Sequence, residues 1–389
     1  MGLNSTPMSE RAHIGFFGLR NAGKSSLVNS ITNQSLSLVS NVKGTTTDLV
    51  KKSMELLPFG PVVIIDTPGI DDTGELGSKR VEVAKSAVGL CDIAVLITEN
   101  DELKDAEKDL IKAFKMHNTD YIVVKNKSDI NVYSDGIYVS ALTGEGVDEL
   151  KGIIASRLAK SEKHVRFIAD FIFEGDTVIL VTPIDESAPK GRMILPQQLA
   201  IRDIIDFHAK CIVVQVEELS DTINMLKESP ALVVTDSQAF ERVMKIVPPH
   251  IPLTSFSILM ARYKGFLNVA LEGAKKLDTL KNNDKILIAE GCTHRRQCGD
   301  IGTVKLPKWI KAYTGKKLHF DFTSGHGFEG DLTGYALVIH CGGCMLGDKE
   351  MQSRRDKAIK QGVGFTNYGT VIAKINGILE RSTEIIEDK

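Results

Sequence analysis

The chain has 389 residues, with 48 Lys and Arg against 50 Asp and Glu, a formal net charge of −2, 42% hydrophobic and 25% charged residues. This is the composition of a globular protein of two or three domains in which core burial is not limiting. The near-neutral balance gives no global basic field, so no nucleic-acid partner is expected. No apolar run reaches the roughly 18 residues that span a bilayer, and no apolar signal core stands at the start, so no membrane association is expected and the cytosol is the expected compartment.

The first block, residues 13–160, alternates apolar runs with helical patterns, and each run carries a short motif at its end. "HIGFFG" leads into "GLRNAGKS", which fits G-x-x-x-x-G-K-[ST] over residues 18–25. Glycines there let backbone N–H groups turn inward around phosphates. Gly18, Asn21, Ala22, Gly23 and Ser26 belong to that cradle; Lys24 neutralises the β and γ phosphates and Ser25 holds Mg²⁺. "GTTTD", residues 44–48, precedes the next apolar run, and Thr46 is the expected contact to Mg²⁺ and the γ-phosphate. "VVIIDTPG" follows, with Asp66 as a Mg²⁺ partner and the Gly69 N–H as a γ-phosphate sensor. Lys24, Thr46, Asp66 and Gly69 are therefore the expected catalytic set. "NKSD" supplies Asn126, Lys127 and Asp129, whose carboxylate accepts two N–H donors of a guanine edge, and "SAL" supplies Ser140, Ala141 and Leu142 beside the guanine oxygen. Each motif alone is weak, but four in order at plausible spacing specify GTP. Strand and helix alternation predicts a mostly parallel sheet with helices on both faces.

A second block begins at "DTVILVTPI", continues with a helix from Gln197 to about Lys210, and then runs "CIVVQV", a helix, "ALVVTD", a helix around "SQAFERVMKI", and "PPHIPLTSFSI". It reads as a small α/β unit without a phosphate loop or ligand cluster. Its sheet edges suit pairing across a two-fold axis, so a homodimer is expected.

The third block has a helical pattern in "GFLNVALEGAKKLDTL", a strand "KILIAEGC", a helix around "LPKWIKAYTG", strands "KLHFDF" and "YALVIHC", and two closing helices. The expected domains are 1–165, 166–260 and 261–389, in an α/β, three-domain chain. Of six cysteines, four fall in the last 100 residues, and a cytosolic chain does not build a disulfide framework. Cys292-x-His294 ends one apolar run and His340-Cys341-x-x-Cys344 ends another. Parallel neighbouring strands would bring both ends together. The thiolates then suit structural zinc, or an iron–sulfur cluster with one exchangeable position. Gly342 and Gly343 lean towards the second, because their N–H groups can approach bridging sulfides. Cys91 and Cys211 lie in apolar contexts and read as packing residues. "SRRDK", residues 353–357, is basic near the expected metal and would attract an anionic precursor or stay solvated.

"NAGKSS", "GTTTD" and "DTPG" make the first block resemble the Era and TrmE type of GTPase. That resemblance implies K⁺ bound by Asn21 beside the phosphates and K⁺-stimulated hydrolysis. Ile70 stands where Ras-like proteins carry a water-orienting glutamine, so slow intrinsic hydrolysis is expected. With the small α/β block and the Cys-x-His…His-Cys-x-x-Cys pattern behind it, the whole chain resembles the HydF family of FeFe-hydrogenase maturation GTPases. The resemblance implies a 4Fe-4S cluster on Cys292, Cys341 and Cys344. It also implies a scaffold that takes a diiron precursor built with the radical-SAM maturases HydE and HydG, and delivers it to the FeFe-hydrogenase apo-protein. The fourth ligand stays open among His294, His340, Cys298 and Asp185, any of which can instead lean on the cluster from outside. The alternative is a tRNA-modification or ribosome-assembly GTPase with a C-terminal structural zinc.

Overall fold

The computed structural model describes residues 6–32, 49–70, 75–161, 165–183, 193–291, 300–325, 328 and 330–387. Thr46, Asp185, Cys292, His294 and Cys298 lie outside the described residues. The chain divides into two compact units, Met1–Glu162 and Lys163–Lys389.

In the first unit β1 (Ala12–Gly18) enters α1 (Lys24–Thr32), and the antiparallel pair β2 (Val50–Leu56) and β3 (Gly60–Asp66) follows. Then come α2 (Glu75–Val88), β4 (Ile93–Thr98), α3 (Asp105–Met116), β5 (Asp120–Asn126), β6 (Ile137–Val139) and α4 (Val147–Lys160). Among the described residues the strand order is β2-β3-β1-β4-β5-β6. Only the β2–β3 pair is antiparallel. β4 is buried at every position because it lies in the middle with helices on both faces. Its apolar run "IAVLIT" needs no alternation for that reason. One face packs Phe16, Leu27, Ile31 and Ile154, the other Phe17, Val88, Leu110 and Phe114. β2 is a strand that apolar runs do not announce. Its sequence "VKKSMEL" is polar because it is the sheet edge, exposed or half-buried at every position but Leu56.

The second unit holds two further sheets. β7 (Thr177–Val181), α5 (Leu195–Asp206), β8 (Lys210–Val214), α6 (Leu219–Met225), β9 (Leu232–Thr235), α7 (Phe240–Ile246) and β10 (Leu253–Ser255) give a parallel sheet in the order β10-β9-β7-β8. α5 stops four residues short of Lys210, which instead opens β8. α8 (Phe256–Tyr263), capped by the Ser255 hydroxyl, crosses the expected join at 260/261 and leads to α9 (Leu267–Lys275).

Next come β11 (Lys285–Glu290), α10 (Leu306–Thr314), β12 (His319–Ser324), β13 (Leu337–His340), α11 (Asp348–Lys360), β14 (Gly364–Asn367), α12 (Tyr368–Ile375) and α13 (Leu379–Glu387). This sheet is also parallel, in the order β12-β11-β13-β14. Where the sequence pattern predicts two closing helices, the chain forms α11, α12 and α13 with a strand between the first two. β14 is four residues long and wholly buried; "GFTN" is too short and too polar for a period-two signal, and only its ladder to β13 makes it a strand.

One hydrophobic core runs through both sheets of this unit, joining Val181, Val233 and Leu253 to Ile288, Val338 and Phe365. α13 returns to the first of these sheets. Thr254 Oγ1 donates to Ser382 O at 2.7 Å, and Arg381 Nη2 donates to the carbonyls of Val247, Pro248 and Ile251. Among the described residues no helix is long and apolar enough to cross a membrane.

α9 lies so close to β14 that a Cβ built on Gly273 would sit 2.1 Å from the Phe365 carbonyl oxygen. Gly to Ala inside a helix ordinarily stabilises by about 1 kcal/mol. Here Gly273→Ala is expected to reverse that sign and destabilise by about 1–3 kcal/mol through overpacking, read as a lower denaturation midpoint of the full chain.

Candidate functional site

In the first unit the motif residues follow the carboxyl ends of β1, β3, β5 and β6, where a parallel sheet gathers its loops. Gly23 has φ +86°, and any Cβ on it would fall 2.1 Å from Asn126 Nδ2. That approach is the reason for glycine: Asn126 Nδ2 donates to Ala22 O at 2.9 Å while its Oδ1 accepts from the Ala141 N–H at 3.1 Å. One amide thus ties the phosphate loop to the base loop. Asn21 is exposed with φ 62°.

The Lys24 side chain is buried and folded back, donating to Gly18 O at 3.1 Å and Leu19 O at 2.7 Å. Arriving phosphate oxygens would exchange with those carbonyls at little cost, one acceptor for another. Ser25 Oγ donates to Asp66 Oδ2 at 2.7 Å. This leaves the hydroxyl lone pairs for Mg²⁺ and sets the carboxylate behind them, so the pair fits the ion. Gly69 touches the phosphate loop directly, its would-be Cβ 3.1 Å from the Arg20 backbone. Ile70 is buried in the apolar core beside Leu19, so it has no polar atom and no path to a water. On the base side Asp129 Oδ1 accepts from Ser140 Oγ at 2.6 Å, and Lys127 pairs with Glu99. Leu142 is exposed.

In the second unit β11 and β13 pair in parallel with Ala289 opposite His340. Their carboxyl ends therefore lie side by side, as convergence of the two cysteine segments requires. The Gly291 N–H, directly before Cys292 in the chain, donates to Cys341 Sγ at 3.1 Å, and the Gly343 N–H approaches the same sulfur at 3.4 Å. Two backbone donors on one sulfur favour its thiolate form, the form that binds metal. Gly291 also packs on Leu346 so closely that a Cβ would stand 2.7 Å from it, and Gly343 has φ +65°. Cys344 is half-buried against a cluster containing Phe256, Leu259 and Met260. Among the described residues no group of three His, Cys, Asp or Glu side chains is gathered for a metal.

His340 is fully buried. Its Nδ1 meets Cys341 O at 2.9 Å and its Nε2 meets Arg354 Nη1 at 3.0 Å, so both ring nitrogens are engaged within the fold. Burial, and then the Arg354 charge, push the imidazole down to about 3, against the pull of the Cys341 carbonyl. Tyr368 Oη lies 3.3 Å from Glu290 Oε1 at the same edge, and burial raises the phenol well above its ordinary range. Cys91 and Cys211 are held as thiols, burial pushing Cys211 up to about 11 and Cys91 higher still.

The sequence pattern does not announce that two cations of this site, Lys264 and Arg354, are buried. Lys264 is fully buried and donates to Leu346 O at 2.8 Å and Asp348 Oδ1 at 3.1 Å, clamping the far end of the cysteine loop. Arg354, one of the "SRRDK" cations, is buried and paired with Glu350 at 2.6 Å, so it is not a solvated charge. The Glu350–Arg354 spacing of four on a helix was the one available signal; nothing marks Lys264.

Three family models match the chain: 50S ribosome-binding GTPase over residues 13–127, hydrogen maturase F dimerization domain over 167–265, and hydrogen maturase F tetramerization domain over 268–385. The chain is similar to the tRNA modification GTPase MnmE of Legionella pneumophila (strain Paris), 30% identical over 161 residues, 39% of this chain and 36% of that protein. MnmE of Clostridioides difficile (strain 630) is 32% identical over 156 residues, 37% and 34% of the two chains. The chain thus spans about a third of the length of these relatives. Among solved structures, Aquifex aeolicus Era bound to GDP.AlF4− is 20% identical with a TM-score of 0.35, covering 52% of this chain and 93% of that one. The amino-terminal unit is a GTPase domain.

Asn126→Ala removes both hydrogen bonds of the bridging amide. At about 1 kcal/mol each, guanine-nucleotide affinity is expected to fall on the order of thirtyfold, measured by titration with a fluorescent GDP analogue.

Proposed function

We propose, from the premise that the chain belongs to the hydrogen maturase F family, whose dimerization and tetramerization domains it carries behind a GTPase domain, that it is a GTP-hydrolysing scaffold for hydrogenase maturation. In this reading Cys292, Cys341 and Cys344 hold a 4Fe-4S cluster. The cargo is a diiron precursor of the hydrogenase active site, received from chemistry done by HydE and HydG and passed to the apo-hydrogenase. The observation that carries the reading is the Gly291 N–H on Cys341 Sγ at 3.1 Å. It supports a thiolate at Cys341, held by the residue that directly precedes Cys292 in the chain.

The donor set fits such a cluster, since sulfurs that accept backbone N–H bonds are the usual surroundings of iron–sulfur centres. When bound, the cluster would supply an iron with one exchangeable position, where an incoming precursor can attach. The chain's own residues do the rest. Gly291 and Gly343 hold the sulfur's charge, while Lys264 and the Cys341 carbonyl contact hold the loop. His294, Cys298 and Asp185 stay candidates for the fourth position.

At the nucleotide, Lys24 neutralises phosphate charge, Ser25, Asp66 and Thr46 keep Mg²⁺, and the Gly69 N–H responds to the γ-phosphate. K⁺ on Asn21 supplies the positive charge that an arginine finger gives elsewhere. Hydrolysis alters the grip on a partner through contacts that differ between the GTP and GDP states. The self-association domains support a homodimer as the working unit.

Anaerobic reconstitution with iron and sulfide is expected to give the EPR signal of a reduced 4Fe-4S cluster, absent in Cys292→Ala, Cys341→Ala and Cys344→Ala. Tight zinc with no uptake of iron would instead favour a GTPase acting on RNA, as the MnmE relatives are named. Steady-state GTP hydrolysis should be several-fold faster in KCl than in NaCl at equal ionic strength. Asn21→Ala should abolish that difference; equal rates in the two salts would refute the K⁺ site.

A further inference from the structure

Arg354 makes three directed contacts from a buried position on α11. Nη1 reaches His340 Nε2 at 3.0 Å, and Nη2 reaches Glu350 Oε1 at 2.6 Å and Gly325 O at 2.7 Å. The guanidinium also lies over Phe328, 5.4 Å from the ring centre. His340 is itself enclosed between Phe328 and Phe365, each 6.1 Å away between ring centres.

A guanidinium carries only donors. Its contact with Nε2 needs a lone pair on that nitrogen. A lone pair on Nε2 puts the ring's proton on Nδ1, where it is donated to Cys341 O at 2.9 Å. The other tautomer would set N–H against N–H at Arg354 and a lone pair against a carbonyl oxygen at Cys341. A cationic ring would keep the first of those clashes. Only one form satisfies both contacts.

We propose that Arg354 is a positioning residue of the metal site. By donating to His340 Nε2 it selects the Nδ1–H tautomer, and that N–H pins the Cys341 carbonyl, which turns the Cys341 sulfur towards the N–H groups of Gly291 and Gly343. His340 is then a strut of the loop and not a metal ligand, because its outer nitrogen is spent on Arg354. The proposal rests on reading Cys341 as a cluster ligand, but the tautomer exists without any metal and can be tested apart from it.

Arg354→Met alone would remove the cation paired with buried Glu350 and can fail to fold. The paired variant Arg354→Met/Glu350→Gln removes both charges and is the one to compare. The first measurement is ¹⁵N NMR of the full-length, metal-free protein labelled at its nine histidines, with His340 assigned by its loss in His340→Asn. The expected result is a bare Nε2 and a protonated Nδ1 in the wild type, and a mixture of tautomers in the paired variant. A protonated Nε2 in the wild type, or an unchanged tautomer in the paired variant, would overturn the proposal.

The second measurement uses the reconstituted protein. Pulsed EPR of the ¹⁵N-histidine-labelled sample should show no coupling from a bound His340 nitrogen, and iron loss to a chelator should be about tenfold faster in the paired variant. His340→Asn, which keeps an N–H donor near the Cys341 carbonyl, should hold iron better than His340→Leu. A strong nitrogen coupling that vanishes in His340→Asn would make His340 a ligand and refute the relay. Failure to take up iron at all would overturn the functional reading, while the histidine spectrum still decides the tautomer.

Discussion

Both sites depend on one geometric constraint: parallel strands deliver their carboxyl ends to the same edge of a sheet. In the first unit this sets the phosphate loop after β1 beside the Asp66 segment after β3, and the guanine segments after β5 and β6. In the second it sets the end of β11 beside the end of β13. Residues separated by 50 positions meet as a hydrogen bond from Gly291 to Cys341 for that reason alone. A one-residue slip in that pairing would turn His340 to the other face of the sheet, away from Arg354, since neighbouring side chains of a strand point to opposite faces and β13 is buried on both. The cysteine segment and the hydrophobic core are thus fixed by the same register.

The nucleotide site was legible because its chemistry is written in short, contiguous motifs and much of its work is done by backbone. The parallel pairing of the two strands that lead into the cysteine segments was legible for a related reason: apolar runs ending in Cys-x-His and His-Cys-x-x-Cys imply strands that end together. What stayed hidden has a common physical cause. β2 and β14 are strands by virtue of their neighbours, one polar at an edge and one only four residues long. Lys264 and Arg354 look like ordinary surface cations in sequence, and only the fold supplies the carboxylates and carbonyls that let them be buried. Side chains that depend on distant partners carry no local signature.

Those two cations bracket the cysteine loop. Arg354 acts behind His340 at its entry, and Lys264 holds Leu346 and Asp348 at its exit. Between them the segment 341–345 is short of packing of its own, with Met345 exposed and Cys341 and Cys344 half-buried. Burying apolar side chains does not by itself define a loop whose two cysteines stay half-buried. Buried charge pairs, costly to desolvate and so demanding in geometry, define it instead.

The return of α13 to the sheet built by β7 to β10 has a consequence for biosynthesis. The backbone that Thr254 binds belongs to Ser382, 128 residues later. As the chain leaves the ribosome, its amino-terminal unit has every strand it needs within the first 162 residues. The sheet of β7 to β10 has all its strands by Ser255, but the α13 backbone that Thr254 binds is made 128 residues later. The second unit therefore closes only once α13 has been made, and removing α13 would uncover the core residues that Leu379 and Ile386 pack against.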